Sequence, residues 1–328
     1  MSHRTRRRLL LVVPAMAVAV VTAACGSSGG DKVAPSTSGE PSTTAAPTSV
    51  TSTDSATDPT GPRPPVDQAA PDSINGLTVD GDTLWIASID ADTVFQVSRA
   101  DGTILGRFPT GSGSGPDDVA VAPDGTVYST GFKNGDIGQI RDGRYSVLVT
   151  LKAGVNPITV GADGNIWVGE MADGGSVTRI SPDGTTEVVA TELPTINAFA
   201  LDPQGRILAP AGGLQAGEFG GTIIRVDPAD GSVTTVARGL PPVMASATGP
   251  DGRYLALANV SGQILAVNPD AGTFEVVRTV TEGAPFDNID VAPDGTIYLS
   301  SFVTPTVTEV KPDGTVRVIN IGHLAVGG

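Results

Sequence analysis

Five oxygen-bearing side chains recur along the chain at intervals of about 43 residues: Asn75, Asp117, Asn156, Asn197 and Asp287. Met244 holds the remaining position of the series, and Asp118 and Asn288 stand beside two of its members. Carboxylates and amide carbonyls gathered at one spot are what a hard cation such as Ca2+ selects, and they also suit a polyol. The same residue types at the entry of a strand cap the backbone of the preceding turn, and a repeated cap would recur just as regularly. On the sequence, both readings stay open.

For a metal, the candidate ligands are Asn75, Asp117, Asn156 and Asp287, holding Ca2+ or another divalent cation; Asn197 and Asn288 extend the set to a polar ligand site. For general acid or base chemistry the weak candidates are Asp117 and Glu170, although Glu170 reads better as an exposed loop glutamate. The two histidines, His3 and His323, fall in the leader and near the C-terminus, and Cys25 is the single cysteine. That leaves no His/Cys cluster for zinc or haem and no plausible partner for a serine nucleophile.

A repeated phrase sets the interval. It reads Pro-Asp-Asp-Val-Ala-Val-Ala-Pro-Asp-Gly-Thr-Val-Tyr at 116–128 and Asn-Ile-Asp-Val-Ala-Pro-Asp-Gly-Thr-Ile-Tyr at 288–298, with four further copies. A 40–45-residue period built from short strands is the mark of a propeller blade. One glycine-turn series runs through Gly102, Gly143, Gly184, Gly231, Gly272 and Gly314, and it interleaves with the Asp-Gly turns of the phrase. Two hairpins per unit mean four strands. The expected fold is therefore all-β: a six-bladed β-propeller over 73–328, with four antiparallel strands per blade. The large residues Trp85, Tyr128, Trp167, Leu208, Leu255 and Tyr298 are expected to fill the space between blades. Both regular turns of each unit share one face. The variable segments 110–117, 170–175 and 211–221 share the other, where the polar column rings the channel mouth.

The chain begins with a basic stretch (Arg4, Arg6, Arg7, Arg8) and a 13-residue apolar run, Leu9–Val21, too short to span a bilayer. Thr22-Ala23-Ala24-Cys25-Gly26 resembles the lipobox of bacterial lipoproteins, with Thr22 where that family favours a large aliphatic residue. The expectation is a signal peptide at 1–24 and a lipidated Cys25. Residues 25–72 would be a disordered Ser/Thr/Pro-rich tether, and the protein would be a monomer anchored on the extracytoplasmic face of a cell membrane by lipid alone. Thr5-Arg6-Arg7-Arg8-Leu9-Leu10 resembles a twin-arginine motif and reads equally as an ordinary basic leader. The net charge is −15, and four of the 20 basic residues lie in the leader, so the remainder is more acidic still. Such a domain repels nucleic acid.

Asn75-Gly76-Leu77, Leu84-Trp85-Ile86-Ala87 and Pro116-Asp117 resemble phrases of the senescence marker protein/gluconolactonase family. That resemblance implies six blades and a metal-dependent lactonase site of Glu, Asn and Asp, matched here at Asn75 and Asp117; Asp118 replaces the family's Gly, and the column contains no Glu. Ile166-Trp167-Val168-Gly169-Glu170 and Val177–Gly184 resemble streptogramin lyase and NHL-repeat propellers. That lyase uses histidines with Mg2+, which this chain does not supply. The leading expectation is a binding protein for a small polar ligand, a glycan or a protein partner. The alternatives are a lactonase or ester hydrolase and a structural cell-envelope protein. Cys25→Ala should move the protein from the membrane fraction to the soluble fraction; retention in the membrane would refute lipidation.

Overall fold

The computed structural model describes residues 69–212 and 221–322. The leader, Cys25, the linker up to residue 68, the segment with Gln215, Glu218 and Phe219, and His323 lie outside the described residues. The described chain is built of strands, with no helix.

Six four-stranded antiparallel sheets follow one another, each made of four consecutive strands. Blade 1 is β1 (Leu77–Asp80), β2 (Thr83–Ser88), β3 (Thr93–Ser98) and β4 (Ile104–Pro109). Blade 2 is β5 (Pro116–Val121), β6 (Val127–Gly131), β7 (Asp136–Arg141) and β8 (Arg144–Thr150). Blade 3 is β9 (Val155–Val160), β10 (Ile166–Glu170), β11 (Gly175–Ile180) and β12 (Thr186–Leu193). Blade 4 is β13 (Ala200–Leu201), β14 (Ile207–Ala211), β15 (Thr222–Val226) and β16 (Val233–Arg238). Blade 5 is β17 (Ala245–Thr248), β18 (Tyr254–Ala258), β19 (Gln263–Asn268) and β20 (Thr273–Thr279). Blade 6 is β21 (Ile289–Val291), β22 (Ile297–Ser300), β23 (Thr306–Val310) and β24 (Val316–Asn320).

The Asp-Gly phrase makes the first turn of a blade by two local devices. Gly125 and Gly295 adopt φ of +82° and +81°, which a side chain disfavours. The preceding aspartate then caps the strand that follows: Thr126 N–H donates to Asp124 Oδ1 and Thr296 N–H to Asp294 Oδ1, each at 2.9 Å.

The core is divided into six apolar clusters, each shared by two neighbouring blades. Trp85 packs with Val119 and Val127 between blades 1 and 2. Tyr128 packs with Ile158 and Ile166 between blades 2 and 3, and Trp167 with Phe199 and Ile207 between blades 3 and 4. Leu208 meets Tyr254, and Leu255 meets Ile289 and Leu299. Tyr298 of blade 6 packs with Leu77 and Phe95 of blade 1. The strand-β2-type residue picked out by the repeat is thus the wedge between blades in every case.

No sheet contains strands from both ends of the chain, so the ring closes by contacts alone. Ile74 N–H donates to Ser301 O at 3.0 Å and Gly322 N–H to Gly102 O at 2.9 Å. Arg317 grips the buried Glu309 and also donates to the carbonyls of Arg99 (3.0 Å) and Ala100 (2.5 Å).

Candidate functional site

The polar column is one structural position. The N–H groups of Asn75, Met244 and Asp287 donate to matching carbonyls of the second strand of their blades, Ala87 (2.9 Å), Leu257 (3.0 Å) and Ser300 (2.8 Å). Asp117 and Asn156 fall inside the longer inner strands β5 and β9, where the register shifts between Pro116 and Val119 and between Val168 and Glu170.

The column's main-chain oxygens stitch the ring. In each observed case the preceding blade donates to the next. Gly76 N–H reaches Asp117 O (2.6 Å), Thr130 Oγ1 reaches Asn156 O (2.9 Å), Ser300 Oγ reaches Asn75 O (2.5 Å) and Asn197 Nδ2 reaches Met244 O (3.4 Å).

The side chains separate into two arcs. Over blades 3 to 5, Asn156 Nδ2 donates to Asn197 Oδ1 (2.9 Å) and to Met171 Sδ (3.1 Å), and Met244 holds the next column position. Over blades 6, 1 and 2, Asn75, Asp117 and Asp287 come together with Asp118, Asn288 and Asp290. Asp118 Oδ1 accepts Asn288 Nδ2 (2.9 Å) and Val119 N–H (2.9 Å), while its Oδ2 accepts Ile158 N–H (3.1 Å). One carboxylate therefore joins blades 6, 2 and 3. The Asp118–Asn288 bond passes over Gly76, where a Cβ would lie 2.5 Å from Asp118 Oδ1 and Cα. Asp290 Oδ2 accepts Val79 N–H (2.8 Å) and Thr78 Oγ1 (3.0 Å), joining blade 6 to blade 1.

Asp117 differs from its neighbours: it is 7% exposed and its carboxylate receives no hydrogen bond from any of the described residues. Burial pushes its pKa well above the carboxylate range, and repulsion by Asp287 and Asp118 adds to the effect. Burial likewise raises Asp287 to about 6, against a bond from Asn75. It raises Asp118 to about 7, where backbone donors pull down and Asp287 and Asp290 push up. Asp290 is raised by burial and held back by its three donors. Among the described residues, no lysine or arginine acts on these four carboxyls. A cavity of about 230 Å3 in the channel is lined by Thr78, Asp118, Thr159, Ser246, Asn288 and Asp290, among others.

Three of the four metal candidates, Asn75, Asp117 and Asp287, share the acidic arc, and Asn156 stands in the other. Among the described residues, no three His, Cys, Asp or Glu side chains are placed to hold a metal ion. Asn75 Oδ1 is occupied by Ile89 N–H at 3.2 Å. Glu170 ends β10, 20% exposed and 4.0 Å from Lys152 Nζ, outside both arcs. Sequence reasoning missed Asp290. Its signal was a carboxylate at an inner-strand position where the other blades have Thr78, Ala120, Thr159, Ala200 and Ala247.

A strictosidine synthase-like, N-terminal family model matches residues 101–140. No curated protein matches the chain. Virginiamycin B lyase from Staphylococcus aureus is similar in structure (TM-score 0.59, 18% identity, 77% of this chain and 86% of that one). So are a putative gluconolactonase (0.58, 14%, 78% and 93%) and a chain of the nidogen/laminin complex (0.58, 15%, 66% and 84%). At these identities the likeness is one of fold.

Two outcomes follow from the acidic arc. A carboxyl whose pKa is raised on folding binds more protons folded than unfolded, so it lowers stability as pH rises from about 4 to about 7. Asp117→Asn removes such a group without losing a hydrogen bond, so it should raise the melting midpoint, more at pH 8 than at pH 5. Equal shifts at both values would refute the electrostatic account. Gly76→Ala should cost about 1–3 kcal/mol or more in urea unfolding, because the new methyl overpacks the Asp118–Asn288 contact; an unchanged midpoint would refute it.

Proposed function

We propose that this propeller is an exported, lipid-anchored binding protein whose channel mouth, on the face of the variable loops, takes a positively charged group of its ligand. One observation carries the reading: the buried Asp117 and the part-buried Asp287 repel each other, next to Asp118 and Asp290, with no lysine or arginine of the described residues acting on them. Buried charges are ordinarily paired or bound to a cation, and leaving them unpaired costs stability. A fold that keeps such a cluster at its mouth reserves it for something that arrives. The export and anchoring rest on the leader and on Cys25 at the lipobox-like site.

Hydrolysis of a lactone or ester is a second reading, favoured by one feature. Asp118, raised to about 7 beside the channel cavity, has the affinity for protons that a general base needs near neutrality.

The full chain should be melted in detergent at pH 7.5 with Ca2+, Mg2+, Zn2+ and butylammonium in turn. At least one cation should raise the wild-type midpoint by ligand linkage and leave Asp117→Asn and Asp287→Asn unmoved. If none does, or if the variants respond equally, the binding reading falls. Lactone turnover abolished by Asp118→Asn would establish the second reading in its place.

A further inference from the structure

The geometry points to an alkylammonium, a charged amine head on an apolar stem, as the ligand of the channel mouth. This rests on the reading of the mouth as a cation site and names the class of cation.

The head is specified by what the acidic arc lacks. Asp117, 7% exposed, has acceptor oxygens and no donor among the described residues, and Asp287 has Asn75 as its side-chain partner. An ammonium brings three N–H donors along with its charge. A bare divalent ion brings no donors and asks for six or more oxygens. Here the carbonyls of Asn75, Asp117, Asn156 and Met244 and the side-chain oxygen of Asn75 are already engaged by the protein.

The stem is specified by the opposite arc. Asn156 and Asn197 bond to each other, which uses their polarity internally; Met171 Sδ accepts from Asn156 Nδ2, and Asn197 Nδ2 donates to the carbonyl of Met244, whose side chain is 7% exposed. Methionine offers an adaptable apolar wall to an alkyl chain. The mouth is therefore anionic over blades 6, 1 and 2 and soft and apolar over blades 3 to 5, a polarity that fits an amphipathic cation and not a symmetric ion. The same chemistry is presented by a free amine and by a lysine side chain of a partner. Exposed apolar residues in the loops of the same face, Val260 (80% exposed), Phe302 (37%) and Val303 (51%), would suit the latter.

The test is a titration of the full chain in detergent, followed by ligand-observed NMR, with methylammonium, butylammonium, Nα-acetyl-lysine methylamide and CaCl2. Affinity should rise about threefold to fourfold per methylene buried, from methylammonium to butylammonium. It should vanish in Asp117→Asn, which keeps all its hydrogen bonds. Met171→Ser or Met244→Ser should remove the advantage of the longer stem, so that butylammonium binds no more tightly than methylammonium; two such variants guard against a folding defect in either one. Binding of the lysine derivative as strong as that of butylammonium identifies a partner's side chain as the source. Binding of the free amine alone identifies a small molecule. Asp117-dependent Ca2+ binding without amine binding would overturn this inference and leave the cation site standing. Amine binding independent of stem length would also overturn it. No binding of any cation would remove both.

Discussion

The hydrogen bond between Asp118 and Asn288 is the constraint around which the channel end is organised. It reaches from the second blade to the last, across the first. The same carboxylate holds the third blade through Ile158 N–H. Everything near it follows: glycine at position 76, because no Cβ fits beneath the bond; hydroxyls at Thr130 and Ser300, which accept the N–H groups of Asp118 and Asn288 while donating to the next blade's carbonyl; and the crowding of Asp117 and Asp287 beside it. A carboxylate so placed is costly in isolation. It is tolerated because its three donors are part of the ring's own construction, and its elevated proton affinity is the residue of that compromise.

Neighbouring carboxylates of the channel end thus differ in character. Asp118 and Asp290 are saturated with donors and act as rivets between blades. Asp117 is as buried as Asp118, and none of the described residues donates to its carboxylate. The register shift between Pro116 and Val119 falls on this pair: Asp118 enters the clasp, and Asp117 stays out of it.

The fold was legible because the repeat states it twice over. The Asp-Gly turns and the wedge residues from Trp85 to Tyr298 fix both hairpins of each blade, and the structure places every wedge between two sheets. The column was legible as a position and not as a site. Counting along the repeat brings Asn75, Asp117, Asn156, Asn197 and Asp287 to one level, but it says nothing of which amides bond to each other. The split into an acidic and an amide–methionine arc depends on Asn156 meeting Asn197 at 2.9 Å, a contact between blades that no spacing encodes. Asp290 was readable in principle, as the one carboxylate among small inner-strand residues. Met171 was not, since it comes to the mouth from a loop outside the repeated phrase.

The ring's closure has a mechanical meaning. The first and last blades share no strand, and the chain enters the first blade at Ile74, whose N–H is bonded to Ser301. If Cys25 is fixed in a membrane, tension on the linker meets Ala69, held by Arg107, and Ser73, held by Asp90, and then the Ile74–Ser301 seam, a residue away from Asn75. The other five blade junctions lie out of the line of force. A pull would therefore load first the side of the domain that carries the acidic arc, where the ring closes without a shared strand.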